Sequence, residues 1–328
     1  MFDIISFLFL GGAVTFISSL LLTNSVESLD AKTSLGTTFV GAIVTPLFTS
    51  LPEMIVFFVA ILFYSGSQGD KIGIGTLFGQ PFITSSLSYG LIGFSIILGL
   101  VKKKRQRTYA TVDKNLTLPY IFISILFPLL YIPSLLVLNH LQFLFAIMFG
   151  ASYIWFVYLS YRNRIIGIKE QTQPYFKKYF GTTHALIIQL TLTTVGLYLG
   201  THFLIESLVK ISSTIQIDPM ALSIIIVPLT TAIPETLNAM VWGYKGKDSL
   251  AISALVGEKV LYSTFYPALG LLTVAWSTTI YSDLSILFTT TVSLMMWYFI
   301  RERHIPLYAF FIGLLFFISY TVIVLNFP

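Results

Sequence analysis

The sequence predicts an all-α integral membrane protein of ten transmembrane helices, built as two inverted five-helix repeats with discontinuous helices 2 and 7. Three observations predict it: an apolar composition, a one-sided distribution of basic residues, and a motif that occurs once in each half. Of 328 residues, 55% are hydrophobic and only 10% charged, with a mean hydropathy of +0.85. An average soluble domain carries roughly 25% charged residues, so no soluble core accounts for this balance.

The ten spans follow from apolar stretches close to or above the roughly 20 residues that an α-helix needs to cross a bilayer core. They cover 3–22, 33–64, 72–101, 117–138 and 141–160, then 184–209, 219–243, 249–275, 278–299 and 305–326. The first begins at Met1-Phe2-Asp3 with no basic residue ahead of it and no Ala-x-Ala site behind it, which favours a retained helix over a cleaved signal peptide. Residues 161–183 are polar and basic and form the longest connection, so the expected organisation is a repeat 1–160, a linker 161–183 and a repeat 184–328.

Charge tests the span count independently. With ten spans, every Lys and Arg except Lys71, Lys210 and Lys259 falls on one side of the membrane, including Lys32, the run 102–107, Lys114, the linker, Lys245, Lys247, Arg301 and Arg303. The positive-inside rule makes that side cytoplasmic and places both termini outside. The run Val101-Lys102-Lys103-Lys104-Arg105-Gln106-Arg107 reads as an orientation signal in a loop. The pI near 9.2 then needs no nucleic-acid partner, because the excess is topological and attracts the chain to an anionic leaflet of the lipid bilayer.

Several functions are excluded by what the sequence lacks. There is no Cys, hence no disulfide, thiolate metal site or cysteine nucleophile. His140, His184, His202 and His304 share no metal-ligand spacing. No nucleotide-binding loop, H-E-x-x-H or G-x-S-x-G occurs, so neither a nucleotide-driven pump nor an enzyme is expected, and no cofactor. The lack of Cys and of regulatory domains favours a prokaryotic plasma membrane.

The repeat is carried by Val44-Thr45-Pro46-Leu47-Phe48-Thr49-Ser50-Leu51-Pro52-Glu53, which aligns with Ile226-Val227-Pro228-Leu229-Thr230-Thr231-Ala232-Ile233-Pro234-Glu235. The shared skeleton is Pro-Leu-x-Thr-x-x-Pro-Glu. Ser25-Val26-Glu27-Ser28-Leu29 resembles Leu204-Ile205-Glu206-Ser207-Leu208, and Gly79 corresponds to Gly257. One copy lies in the second span, which runs outward, and the other in the seventh, which runs inward, so the repeats are inverted, a recurring plan of secondary transporters.

Each proline removes a backbone donor and breaks its helix, leaving carbonyls that are tolerated in a membrane only beside a cavity or an ion. Thr49, Ser50 and Thr231 add hydroxyls there and Glu53 and Glu235 add carboxylates. Such oxygens suit hard cations, Ca²⁺ and Na⁺. A charge at the bilayer centre costs at least about 2.5–3.5 kcal/mol, a cost that marks function. Counting about 1.5 Å per residue from Lys245 and from Asp248 sets Glu235 and Glu258 at one depth, and Gln80 near that of Glu53.

These residues resemble the calcium/cation antiporter superfamily, the sodium/calcium exchangers and their prokaryotic relatives, whose repeats carry G-T-S-x-P-E and then G-N-x-x-G-S-N. The resemblance implies that Thr49, Ser50, Glu53, Thr231 and Glu235 coordinate the transported cation. The second signature, Gly75-Thr76-Leu77-Phe78-Gly79-Gln80-Pro81 and Ser253-Ala254-Leu255-Val256-Gly257-Glu258-Lys259, departs from the family: the glycines at 79 and 257 persist, Gln80 and Pro81, then Glu258 and Lys259, replace the serine and asparagine, and Thr84 and Tyr262 take the next ligand position. The expected activity is exchange of Ca²⁺ or another cation for Na⁺ or H⁺, with a cation channel or a transport-degenerate relative on the same fold as alternatives.

Lys259 is a fixed ammonium that can compensate the charge of these carboxylates as a bound cation would. Neighbouring helix positions point about 100° apart, so Glu258 and Lys259 cannot both face one spot. If Lys259 faces the site, it competes with cations and a proton there or on a glutamate couples transport to H⁺. If Glu258 does, three carboxylates suit a divalent ion. A third arrangement pairs Lys259 with a carboxylate only to lock two helices together.

Overall fold

The computed structural model describes residues 2–30, 45–64, 66–135, 139–162 and 173–326, and these are helical almost throughout. The elements are α1 (Phe2–Asp30), α2 (Thr45–Thr49), α3 (Leu51–Phe63), α4 (Ser67–Ser85), α5 (Leu87–Val101), β1 (Ala110–Thr111), α6 (Thr117–Leu129), α7 (Asn139–Arg162), α8 (Lys177–Ile215), α9 (Pro219–Thr231), α10 (Ile233–Tyr244), α11 (Asp248–Tyr262), α12 (Phe265–Thr273), α13 (Ile280–Arg301), β2 (His304–Ile305) and α14 (Leu307–Asn326). Among the described residues seven stretches are long and apolar enough to cross a membrane, and α9 with α10 makes an eighth if the pair is one broken span. The other two predicted spans hold shorter helices, α2 with α3 and α11 with α12. Lys32, Val44, Arg164, Lys169 and residues 163–172 of the 161–183 linker lie outside the described residues.

The described chain forms two compact units, Met1–Thr76 with Ile166–Pro234 and Leu77–Ile165 with Glu235–Pro328. Each therefore draws residues from both halves of the sequence. In the first unit, α1 and α8 pack along one another, with α2, α3 and α9 against them. Gly11 and Gly200 let those two backbones touch: a Cβ on Gly11 would lie 2.7 Å from the Leu204 nitrogen, and one on Gly200 2.8 Å from that of Thr15. Small residues at helix contacts give membrane helices the close packing that hydrophobicity cannot drive in lipid. A buried amide network completes the pair, with Gln189 Nε2 donating to Asn24 Oδ1 (3.0 Å) and Ser25 Oγ (3.1 Å). At the start of α9, Asp218 caps the Met220 N–H and pairs with Lys71 at 2.7 Å, while Pro219 takes the first turn, where no donor is needed.

In the second unit, α6 packs between α13 and α11, α12 lies on α7, and α14 lies on α5 and α13. Antiparallel pairing of β1 with β2, Ala110 opposite Ile305 and Thr111 opposite His304, ties the loop after α5 to the α13–α14 connection. α13 begins at a capping box in which Thr279 and Ser282 satisfy each other's backbone N–H.

The basic run 101–107 departs from its sequence reading. Arg105 is buried, not a free loop charge: it pairs with Asp248 at 2.8 Å, with both side chains 3% exposed. It also donates to the carbonyls of Gly243, Tyr109 and Arg107. The Thr111 N–H donates to Asp248 as well (2.9 Å). The start of α11 is thereby pinned to the β1 loop.

Candidate functional site

Both motif copies break at the same register. In the first, α2 ends at Thr49 and α3 starts at Leu51, with Ser50 between. In the second, α9 ends at Thr231 and α10 starts at Ile233, with Ala232 between. The break falls three residues before each glutamate, because Pro52 and Pro234 have no N–H for the preceding turn yet are suited to open a new helix. Glu53 and Glu235 consequently sit in the first turn of a helix, where exposed N–H groups and the positive end of the dipole stabilise a carboxylate. Glu53 is 1% and Glu235 7% exposed.

The hydroxyls beside the breaks serve the backbone first. Ser50 Oγ donates to the Pro46 carbonyl at 2.6 Å and Thr49 Oγ1 approaches the same oxygen at 3.5 Å. Thr231 Oγ1 donates to the Val227 carbonyl at 3.0 Å. With its proton so committed, the threonine oxygen presents lone pairs, the form in which a hydroxyl ligates a cation. Thr49, Ser50, Glu53 and Thr231 belong to the first unit; Gln80, Thr84, Glu235, Glu258 and Lys259 belong to the second.

Within the second unit, Gln80 and Glu258, which follow the aligned glycines Gly79 and Gly257 in the sequence, meet. Gln80 Nε2 on α4 donates to Glu258 Oε2 on α11 at 2.7 Å, and both side chains are buried. The amide oxygen of Gln80 is buried and accepts no hydrogen bond among the described residues. Thr84 Oγ1, one turn on, donates to the Gln80 carbonyl at 2.8 Å. Beside Glu235, Thr236 shares a 2.7 Å hydrogen bond with Ser88 of α5, and Gly243 lets α10 approach Ser95 closely.

Lys259 points elsewhere. Its Nζ lies 3.3 Å from the Tyr89 hydroxyl and over the rings of Tyr89 and Tyr120, 4.8 and 5.3 Å from their centroids. It is fully buried, and none of the ion pairs among the described residues involves it. Nor do three or more His, Asp or Glu side chains gather into a metal-holding group among the described residues.

Sequence reasoning missed Tyr89, Tyr120, Arg105 and a second pair of breaks. α4 gives way to α5 at Ser86 (φ −112°, ψ −83°) and α11 gives way to α12 around Thr264 (φ −141°, ψ −85°). Ser86 follows Gly79, and Thr264 follows Gly257, at the same interval. That shared interval was the available signal.

Residues 4–162 and 185–327 match the family model described as sodium/calcium exchanger protein. Among curated proteins none matches the chain. Among solved structures, the H⁺/Ca²⁺ exchanger CAX superposes with a TM-score of 0.72 at 16% identity, over 99% of this chain and 82% of that one. YfkE gives 0.66 at 14%, over 95% and 88%. The sodium-calcium exchanger NCX_Mj, soaked with 10 mM Na⁺ and zero Ca²⁺, gives 0.60 at 16%, over the whole of both chains. At such identities the likeness is one of fold.

Proposed function

Because the chain belongs to the sodium/calcium exchanger protein family, we propose that it is a secondary antiporter that exchanges Ca²⁺ or another cation for Na⁺ or H⁺. The observation that carries this is the matched break in front of Glu53 and Glu235, each glutamate buried in the first turn of a helix. Broken helices that present carboxylates, hydroxyls and carbonyls are how secondary transporters hold ions without water. In this reading the ten spans form two inverted repeats, and Thr49, Ser50, Glu53, Thr231, Glu235, Gln80, Thr84 and Glu258 supply the oxygens.

The chemistry of each group supports its assignment. Glu53 and Glu235 supply charge, Thr231 and Thr84 supply lone pairs, and the Gln80 amide, turned so that its NH₂ holds Glu258, directs its carbonyl oxygen to the cation. An acceptor buried without a donor is costly, and a bound cation would remove that cost. The glutamates bind a cation or a proton in turn, so access alternates between the two sides of the membrane without a nucleotide.

Proteoliposomes test this. A Na⁺ or proton gradient of inward or outward direction is imposed, and uptake of radiolabelled Ca²⁺ is followed. Saturable uptake that stops when the counter-cation is removed is expected. Unsaturable flux indifferent to any counter-cation identifies a channel and ends the antiporter reading.

A further inference from the structure

The surroundings of Lys259 are those of a bound cation. Its ammonium is among the largest fully buried side chains of the protein, between two aromatic faces. Tyr89 comes from α5 and Tyr120 from α6, and their hydroxyls hydrogen-bond to each other, which locks the two rings. Tyr89 stacks edge-on against Phe310, so its ring orientation is fixed from behind. Aromatic faces within about 6 Å attract cations through the ring quadrupole, most strongly where water is absent. The other ionisable groups nearby on the same helix, Glu258 and Tyr262, are otherwise placed: Glu258 engages Gln80 and Tyr262 stacks on Tyr266.

Lysine in a membrane helix ordinarily extends its chain towards water or pairs with an acid. Lys259 does neither. What holds it is a set of groups that recognises a small monovalent cation in general: two π-faces and one hydroxyl oxygen.

We propose that the space between Tyr89 and Tyr120 is a monovalent-cation site, of the ammonium or potassium class, which this chain fills with its own tethered ammonium. Lys259 acts there as a tethered occupant, held by the chain and unable to exchange with ions in solution. The site is separate from the oxygens around Gln80 and Glu258, and its existence does not depend on which ions the chain transports.

Removal of the tether tests it. The full chain carrying Lys259→Ala, purified in detergent, is melted in chloride salts of ammonium, potassium or N-methylglucamine at equal ionic strength, beside wild type and Lys259→Met. Lys259→Ala is expected to melt lower than wild type in N-methylglucamine and to recover along a saturating curve as ammonium or potassium is added. Wild type, with the site filled, and Lys259→Met, with an uncharged chain in it, are expected not to respond. The proposal is overturned if Lys259→Met melts with wild type, or if Lys259→Ala shows no saturable response or only the response of wild type. Failure of Lys259→Ala to fold in every salt also overturns it, since a missing ion is replaceable.

Discussion

Glu258 and Lys259 are neighbours on α11, yet each has the environment the other could not use. The carboxylate meets an amide donor from α4 at 2.7 Å. The ammonium meets a hydroxyl and the faces of two tyrosines. A helix turns about 100° per residue, so one register places opposite charges in separate compartments instead of pairing them. A buried ion pair neutralises itself and leaves nothing for a transported ion. In the proposed antiporter, keeping Lys259 turned away leaves Glu258 able to act on a cation.

This contrast depends on how α11 is held, and the strongest way to break it is at its first residue. Arg105→Ala removes the partner of buried Asp248, at a cost of about 3–5 kcal/mol. The variant is expected to melt far below wild type, and Arg105→Lys to recover little, because an ammonium cannot reproduce the guanidinium fork. A loss under about 1 kcal/mol in a denaturant titration would show that α11 keeps its register without this anchor.

The carboxylate side is sharpened by Gln80→Leu. It removes one donor from Glu258, a charge-assisted hydrogen bond of about 1.5–3 kcal/mol. It also removes the amide oxygen assigned to the cation. The expected result is a half-saturating Ca²⁺ concentration raised about tenfold or more, since each 1.4 kcal/mol is a factor of ten. An unchanged value would remove Gln80 from the site.

The ammonium side has the smallest expected effect. Tyr120→Phe keeps the ring but deletes the hydroxyl bonded to Tyr89, at about 0.5–1.5 kcal/mol. Tyr120→Leu also removes the aromatic face and is expected to cost more. Equal melting temperatures for the two variants would show that the ring contributes nothing to holding Lys259.

The contrast also marks what the sequence could and could not show. The apolar stretches and the breaks before Glu53 and Glu235 were legible, because hydropathy and proline act locally. The breaks at Ser86 and Thr264 were not, since neither residue is a proline and their backbone angles follow from packing. Arg105 was read as a loop charge because its partner Asp248 lies 143 residues away. Tyr89 and Tyr120 passed as apolar bulk for the same reason: they flank Lys259 only after α5, α6 and α11 come together. Adjacency of Glu258 and Lys259 left two orientations open, and only the tertiary contacts of α11 distinguish them.

The central claim is that the two Pro-Glu breaks carry the transported cation, and one measurement addresses it most directly. Counter-cation-driven uptake of radiolabelled Ca²⁺ is compared in proteoliposomes of wild type, Glu53→Gln and Glu235→Gln, with matched protein content and melting temperature. Glutamine keeps the shape and removes the charge, so both variants are expected to lose exchange while remaining folded. Wild-type rates and wild-type half-saturation in both variants would contradict the assignment.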